Sequence, residues 1–138
     1  MLIGKTGVGK TGLASGLLLK AVENGYRGLF KLRICSMKCP SIADRASRKL
    51  LRRWARLDLI VVDELGYLNL RPEQTNLFFK LMEERYRRKP TIITTNLPYE
   101  SWPALLGNKE LTEALLSRLR HHCQTIQING PSLRPPQS

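Results

Sequence analysis

With 138 residues, 42% hydrophobic and 25% charged, the chain has the size and composition of one globular domain with its own core. Its 23 basic residues against 11 acidic ones leave a net charge of +12, the balance of a protein that meets nucleic acid. No apolar run approaches the ~20 residues of a membrane span, no signal peptide is present, and Cys35, Cys39 and Cys123 fit no zinc or CxxC spacing; a cytoplasmic protein with reduced thiols and no membrane partner is expected.

Leu2-Ile3 reads as the end of a buried strand, shorter than the ~5–6 residues usual for a central one, which predicts a chain trimmed ahead of its first motif. That motif follows at once. Gly4, Lys5, Thr6, Gly7, Val8, Gly9, Lys10 and Thr11 spell G-K-T-G-V-G-K-T, a complete Walker A phosphate loop. Its glycines let successive N–H groups turn inward around a polyphosphate such as that of ATP. Lys10 is placed to reach the β/γ oxygens, and the Thr11 hydroxyl to ligate Mg²⁺. A helix over 10–24 should present its positive amino end to the phosphates and stop at Asn24-Gly25.

Residues 28–34 have the content of a second strand, and 41–57 of a helix with Ser41 as its N-cap. Leu59-Ile60-Val61-Val62 is a continuous apolar run, the pattern of a strand buried on both faces. Asp63-Glu64 ends it and completes a Walker B motif, with Asp63 on Mg²⁺ and Glu64 activating the attacking water. Pro72 opens a helix with Leu77, Phe78, Leu81 and Met82 on one face and a basic end at Arg85, Arg87, Arg88 and Lys89. A strand at 91–95 ends beside Asn96, whose amide can position the water near the γ-phosphate. A helix at 110–122 carries Arg118 and Arg120 ahead of a last strand at 125–128. An arginine there can point into a neighbouring subunit's nucleotide. The fold expected is α/β: a P-loop NTPase core of residues 1–130, with a five-stranded parallel sheet flanked by helices and no C-terminal lid domain, followed by a flexible tail at 131–138.

Arg45, Arg48, Lys49, Arg52, Arg53 and Arg56 fall at helical offsets of 0, 3, 4, 7, 8 and 11, one face of one helix. Ile42, Ala46, Leu50, Trp54 and Leu57 are assigned to the opposite face. Six like charges on a stripe repel one another unless an anion lies against them, so the face is read as a contact for the phosphate backbone of double-stranded DNA.

Walker A, D-L-I-V-V-D-E-L-G-Y-L, T-I-I-T-T-N-L, L-L-S-R-L-R-H-H and G-P-S-L-R together resemble the IstB-type insertion-sequence helper ATPases, AAA+ proteins of the DnaC-like clade. The resemblance runs over nearly the whole chain. It implies a bacterial cytoplasmic ATPase that uses ATP and Mg²⁺, forms a homo-oligomer through its nucleotide sites on DNA, and assists the transposase of the same insertion sequence. It also implies Lys10, Thr11, Asp63, Glu64 and Asn96 as the nucleotide site, with Arg118 as the arginine finger.

Two departures from that pattern are visible. The family's region ahead of the P-loop strand is expected to be absent, which would bear on partner binding. Lys31 to Cys39 read K-L-R-I-C-S-M-K-C, where the family has an acidic stretch close to A-Q-D-L-F-D-E-M. The codon string AAG CTC AGG ATC TGT TCG ATG AAA TGT encodes the former, and its reading from the third base encodes the latter. A frameshifted patch over 31–41 is therefore expected, with Cys35 and Cys39 as its by-products. Three other readings stay open: a DnaC-like helicase loader, a small P-loop kinase, and an inactive nucleotide- or DNA-binding remnant of a decayed insertion-sequence gene.

Overall fold

The computed structural model describes residues 1–32, 44–66 and 69–136. Five parallel strands, β1 (Leu2–Gly4), β2 (Gly28–Leu32), β3 (Leu59–Leu65), β4 (Thr91–Thr95) and β5 (Ile126–Ile128), form one sheet in the order β2-β3-β4-β1-β5. The helices are α1 (Lys10–Glu23), α2 (Arg45–Ala55), α3 (Pro72–Arg85), α4 (Trp102–Leu106) and α5 (Lys109–His122). This is the parallel α/β sheet that the alternation of strand and helix patterns predicts. The proposed frameshifted patch and the Ser41 cap fall largely or wholly in 33–43, outside the described residues, as do Cys35, Cys39 and Ile42.

The central strand β3 shows why its apolar run is unbroken. Successive side chains point to opposite faces: Leu59 and Val61 pack with Leu2, Ala14 and Leu18 beneath α1. Ile60 and Val62 join Trp54, Leu77, Phe78, Leu81, Trp102 and Leu116 beneath the other helices. Both faces are covered, so no position tolerates a polar side chain until the strand reaches its carboxyl end at Asp63.

Three details differ from the sequence reading. Helix α2 starts at Arg45, with Asp44 as its N-cap accepting from the Ser47 amide at 3.2 Å. Its buried residues are Ser47, Leu51 and Trp54, and Leu50 and Leu57 pack partly buried against the core; of the residues assigned to the inward face Ala46 is exposed, and Ser47 and Leu51 join that face. A 3₁₀ turn (Tyr99–Ser101) and α4 fill the stretch after Asn96. Arg85, assigned to a basic helix end, is 1% exposed. Its guanidinium donates to the carbonyls of Trp54 (2.8 Å), Leu57 (2.7 Å) and Pro90 (2.6 Å) and to Thr91 Oγ1 (2.9 Å). Burial pushes its pKa down to about 10, which leaves it charged at neutral pH.

Candidate functional site

At the carboxyl end of β1 the chain turns through residues 4–11 into α1. Gly7 and Gly9 hold positive φ (88° and 94°), a left-handed backbone costly for a residue with a Cβ. Gly9 is the N-cap of α1 without a side-chain cap, which leaves the amides of the first turn directed at the loop. The Lys10 ammonium folds back to donate to the carbonyls of Gly4 (2.6 Å) and Lys5 (2.7 Å). Burial lowers its pKa, Arg134 adds to that, and the Asp63 and Glu64 carboxylates oppose it.

The second half of the site stands on β3 and β4. Val62 pairs with Ile93 and Leu65 with Thr95, so β3 carries one extra residue between those pairs. Bulges of this kind re-aim a side chain. Glu64 sits in the irregularity with φ 56°, an uncommon backbone for a non-glycine residue. Asp63 is 3% exposed and accepts from two hydroxyls: Thr11 Oγ1 at 3.1 Å and Thr94 Oγ1 at 2.6 Å. The same Thr94 hydroxyl accepts the Glu64 amide at 2.9 Å. Thr11, Asp63, Glu64 and Thr94 thus form one connected group beside the phosphate loop, assembled from α1, β3 and β4. Thr11 and Asp63 present adjacent oxygen donors, the ligand type a hard divalent cation takes.

The segment after β5 returns to this loop. The Leu133 amide donates to the Gly7 carbonyl at 2.8 Å, Ser132 Oγ sits where a Cβ on Gly7 would stand, and Arg134 lies within electrostatic reach of Lys10. Asn96 follows the last residue of β4 and is exposed.

The match to the family described as IstB-like ATP binding protein runs over residues 1–138. The chain belongs to that family. It is 35% identical over 136 residues to a Pseudomonas aeruginosa protein of insertion sequence IS21 that is named for ATP binding, covering 97% of this chain and 51% of that one. A similarly named protein of insertion sequence IS232 from Bacillus thuringiensis is 32% identical over 142 residues, covering 97% and 54%. This IstB-like chain therefore spans about half the length of those relatives. Among solved structures, DnaI superposes with a TM-score of 0.74 at 19% identity, over 96% of this chain and 71% of that one. The DnaC helicase loader does so with 0.63 at 23% identity, over 93% and 76%. The fold is that of an AAA+ P-loop domain.

Two sets of sequence-nominated residues of this IstB-like chain lie away from the loop. Arg118 is exposed near the end of α5, with its guanidinium over the Tyr86 ring at 5.6 Å, and lines a cavity with Met1, Thr91 and Gln124. Those residues mark the amino ends of the strands, opposite the phosphate loop, so the structure does not bring Arg118 to its own nucleotide site. Arg120 stacks over Tyr99 at 5.9 Å. Arg45, Arg48, Lys49, Arg52, Arg53 and Arg56 are all exposed along α2. Thr94 and Arg134 were missed as site residues. For Thr94 the available signal was a hydroxyl residue near a strand's carboxyl end; for Arg134 it was the family motif G-P-S-L-R itself.

Proposed function

We propose that this chain is the ATP-hydrolysing core of an insertion-sequence transposition helper, one that assembles through its nucleotide sites on double-stranded DNA and assists the transposase of the same element. The observation that carries the reading is the Thr11–Asp63–Thr94–Glu64 group beside the phosphate loop. Lys10 exchanges the Gly4 and Lys5 carbonyls for the β/γ-phosphate oxygens of ATP, while the loop amides and the first turn of α1 cradle the rest. Thr11 and Asp63 would hold Mg²⁺, which supplies charge neutralisation of the phosphates. Glu64, aimed by the β3 irregularity, accepts the proton of the water that attacks the γ-phosphate, and Asn96 orients that water. Arg134 adds positive charge at the same mouth. Arg118, remote from its own site, stabilises the transition state in the next copy. The cationic stripe on α2 supplies the DNA contact, largely independent of sequence.

ATP hydrolysis by the purified chain, with and without duplex DNA and beside Glu64→Gln, tests this reading. Turnover that DNA stimulates, and that the Glu64→Gln variant loses while still binding ATP, is the expected result. ATP bound without turnover in the unsubstituted chain overturns the ATPase reading, and phosphate transfer to a small acceptor overturns it in favour of a kinase.

A further inference from the structure

Resting on that reading, we infer that the DNA path is not confined to α2. It enters the groove between α2 and α3 and ends at the α3–β4 turn by Arg87 and Arg88, short of the Arg118 face that meets the next copy, with the phosphate backbone of double-stranded DNA as its occupant.

The groove is an open cavity of about 750 Å³. Arg48, Arg52 and Arg56 line it from α2, and Lys80, Arg88 and Lys89 from α3 and the turn that follows. A second cavity, of about 610 Å³, adjoins it and shares Arg88 and Lys89. Its other cations are Arg87, buried Arg85 and Arg118, the last serving the neighbouring copy's nucleotide, and among the described residues no acidic residue lines it. Among the described residues three carboxylates pair with these cations, and Glu83 holds Lys80 at 3.1 Å. Asp58 holds Lys89 at 3.0 Å and Arg27 at 3.5 Å, whereas Glu84 touches Lys80 and Arg88 only at 3.9 Å. Arg88 is 73% exposed at its side chain, free to exchange that loose contact for a phosphate.

Length favours a polyanion over a small anion. From Arg45 to Arg56 the stripe covers about 16 Å at the helical rise, the distance of about five phosphates on one strand of a duplex. The α3–β4 turn prolongs it. That turn is rigidly built: Arg85 ties α3 to the end of α2 and to Pro90, and Arg87 holds a left-handed φ of 58° that directs the chain out of α3. Among the described residues Arg48, Arg52, Arg56 and Arg87 have no carboxylate within 4.0 Å, and such a row suits a ligand that brings its own negative charge at regular spacing.

Fluorescence anisotropy of a mixed-sequence duplex, titrated over a range of salt, tests the inference with the full chain. The two variants are Arg87→Gln/Arg88→Gln and Arg48→Gln/Arg52→Gln, and thermal unfolding checks their fold. Each pair should weaken binding about tenfold and lower the slope of log K against log salt by about two. The single variant Arg88→Gln, should the pair unfold, should lower it by about one. Loss in the α2 pair with affinity and slope unchanged in the Arg87/Arg88 pair overturns the extended path and leaves the proposed function standing. No duplex binding by the unsubstituted chain overturns both. Displacement of the duplex by polyglutamate at equal charge concentration overturns the assignment to DNA.

Discussion

The Thr94 hydroxyl donates to Asp63 Oδ1 at 2.6 Å and accepts the Glu64 amide at 2.9 Å, inside a strand end where Thr94 is fully buried. One side chain therefore fixes both Walker B residues, and its loss frees the orientation of each. Thr94→Val keeps the shape and removes the bonds. The expected outcome is a fall in kcat of about ten- to a hundredfold with KM for ATP little changed, and recovery with Thr94→Ser, read by steady-state kinetics. Asp58 gives the fold an acid-sensitive contact. The Arg27 amide and the Lys89 ammonium hold the Asp58 carboxyl down to about 2 from an ordinary 3.8. A carboxylate with a depressed folded pKa contributes stability that is present above its unfolded value and lost as pH falls through the folded one. The thermal midpoint should drop between about pH 4 and pH 2, and Asp58→Asn should lower it at neutral pH while flattening that acid dependence.

At the scale of elements, Arg85 links α2, β4 and α3. It reads from sequence as one more cation at a helix end, because spacing reports only its neighbours along the helix. The tertiary structure closes over it and supplies carbonyls at the end of α2, where helix groups lack internal partners. Arg85→Met should destabilise the chain by about 3 kcal/mol or more, since the carbonyls it serves lose their donor away from water. Chemical denaturation measures it, and an unchanged midpoint would remove the linking role. The short helix α4 was invisible for a related reason. Five residues, Trp102–Leu106, between Pro98 and Gly107 carry too little periodicity to show, yet Trp102 is fully buried against Phe78, with ring centroids 6.5 Å apart. Helices α1 and α3, by contrast, have about four turns each and were legible to within a residue at their starts.

For the whole molecule, the distance between Arg118 and the phosphate loop decides how catalysis would be organised. Arg118 and the phosphate loop lie at opposite ends of one sheet, so under the proposed function a single copy would not complete its own site. Arg118→Ala alone and Glu64→Gln alone should each lose ATP turnover. Mixed together they should regain part of it, because the Glu64→Gln copy lends its arginine to the intact site of the other. Mixed samples no more active than the sum of their parts would refute the trans arrangement.

The phosphate loop, the Asp63-Glu64 pair, the buried central strand and the basic face of α2 are all legible in the order of residues alone. Each is a local pattern: a glycine spacing, a period of two, a period of 3.6, or a run of charge. Which hydroxyl joins Asp63 to Glu64, that Ser132 and Leu133 lie against Gly7, and that Arg85 is interior while Arg87 and Arg88 are not, are settled by the folded chain. Those facts depend on contacts between residues far apart in the chain, such as Thr11 with Asp63 or Gly7 with Leu133, and the parallel sheet brings them together by aligning its strands' carboxyl ends. Local spacing carries no record of such pairings.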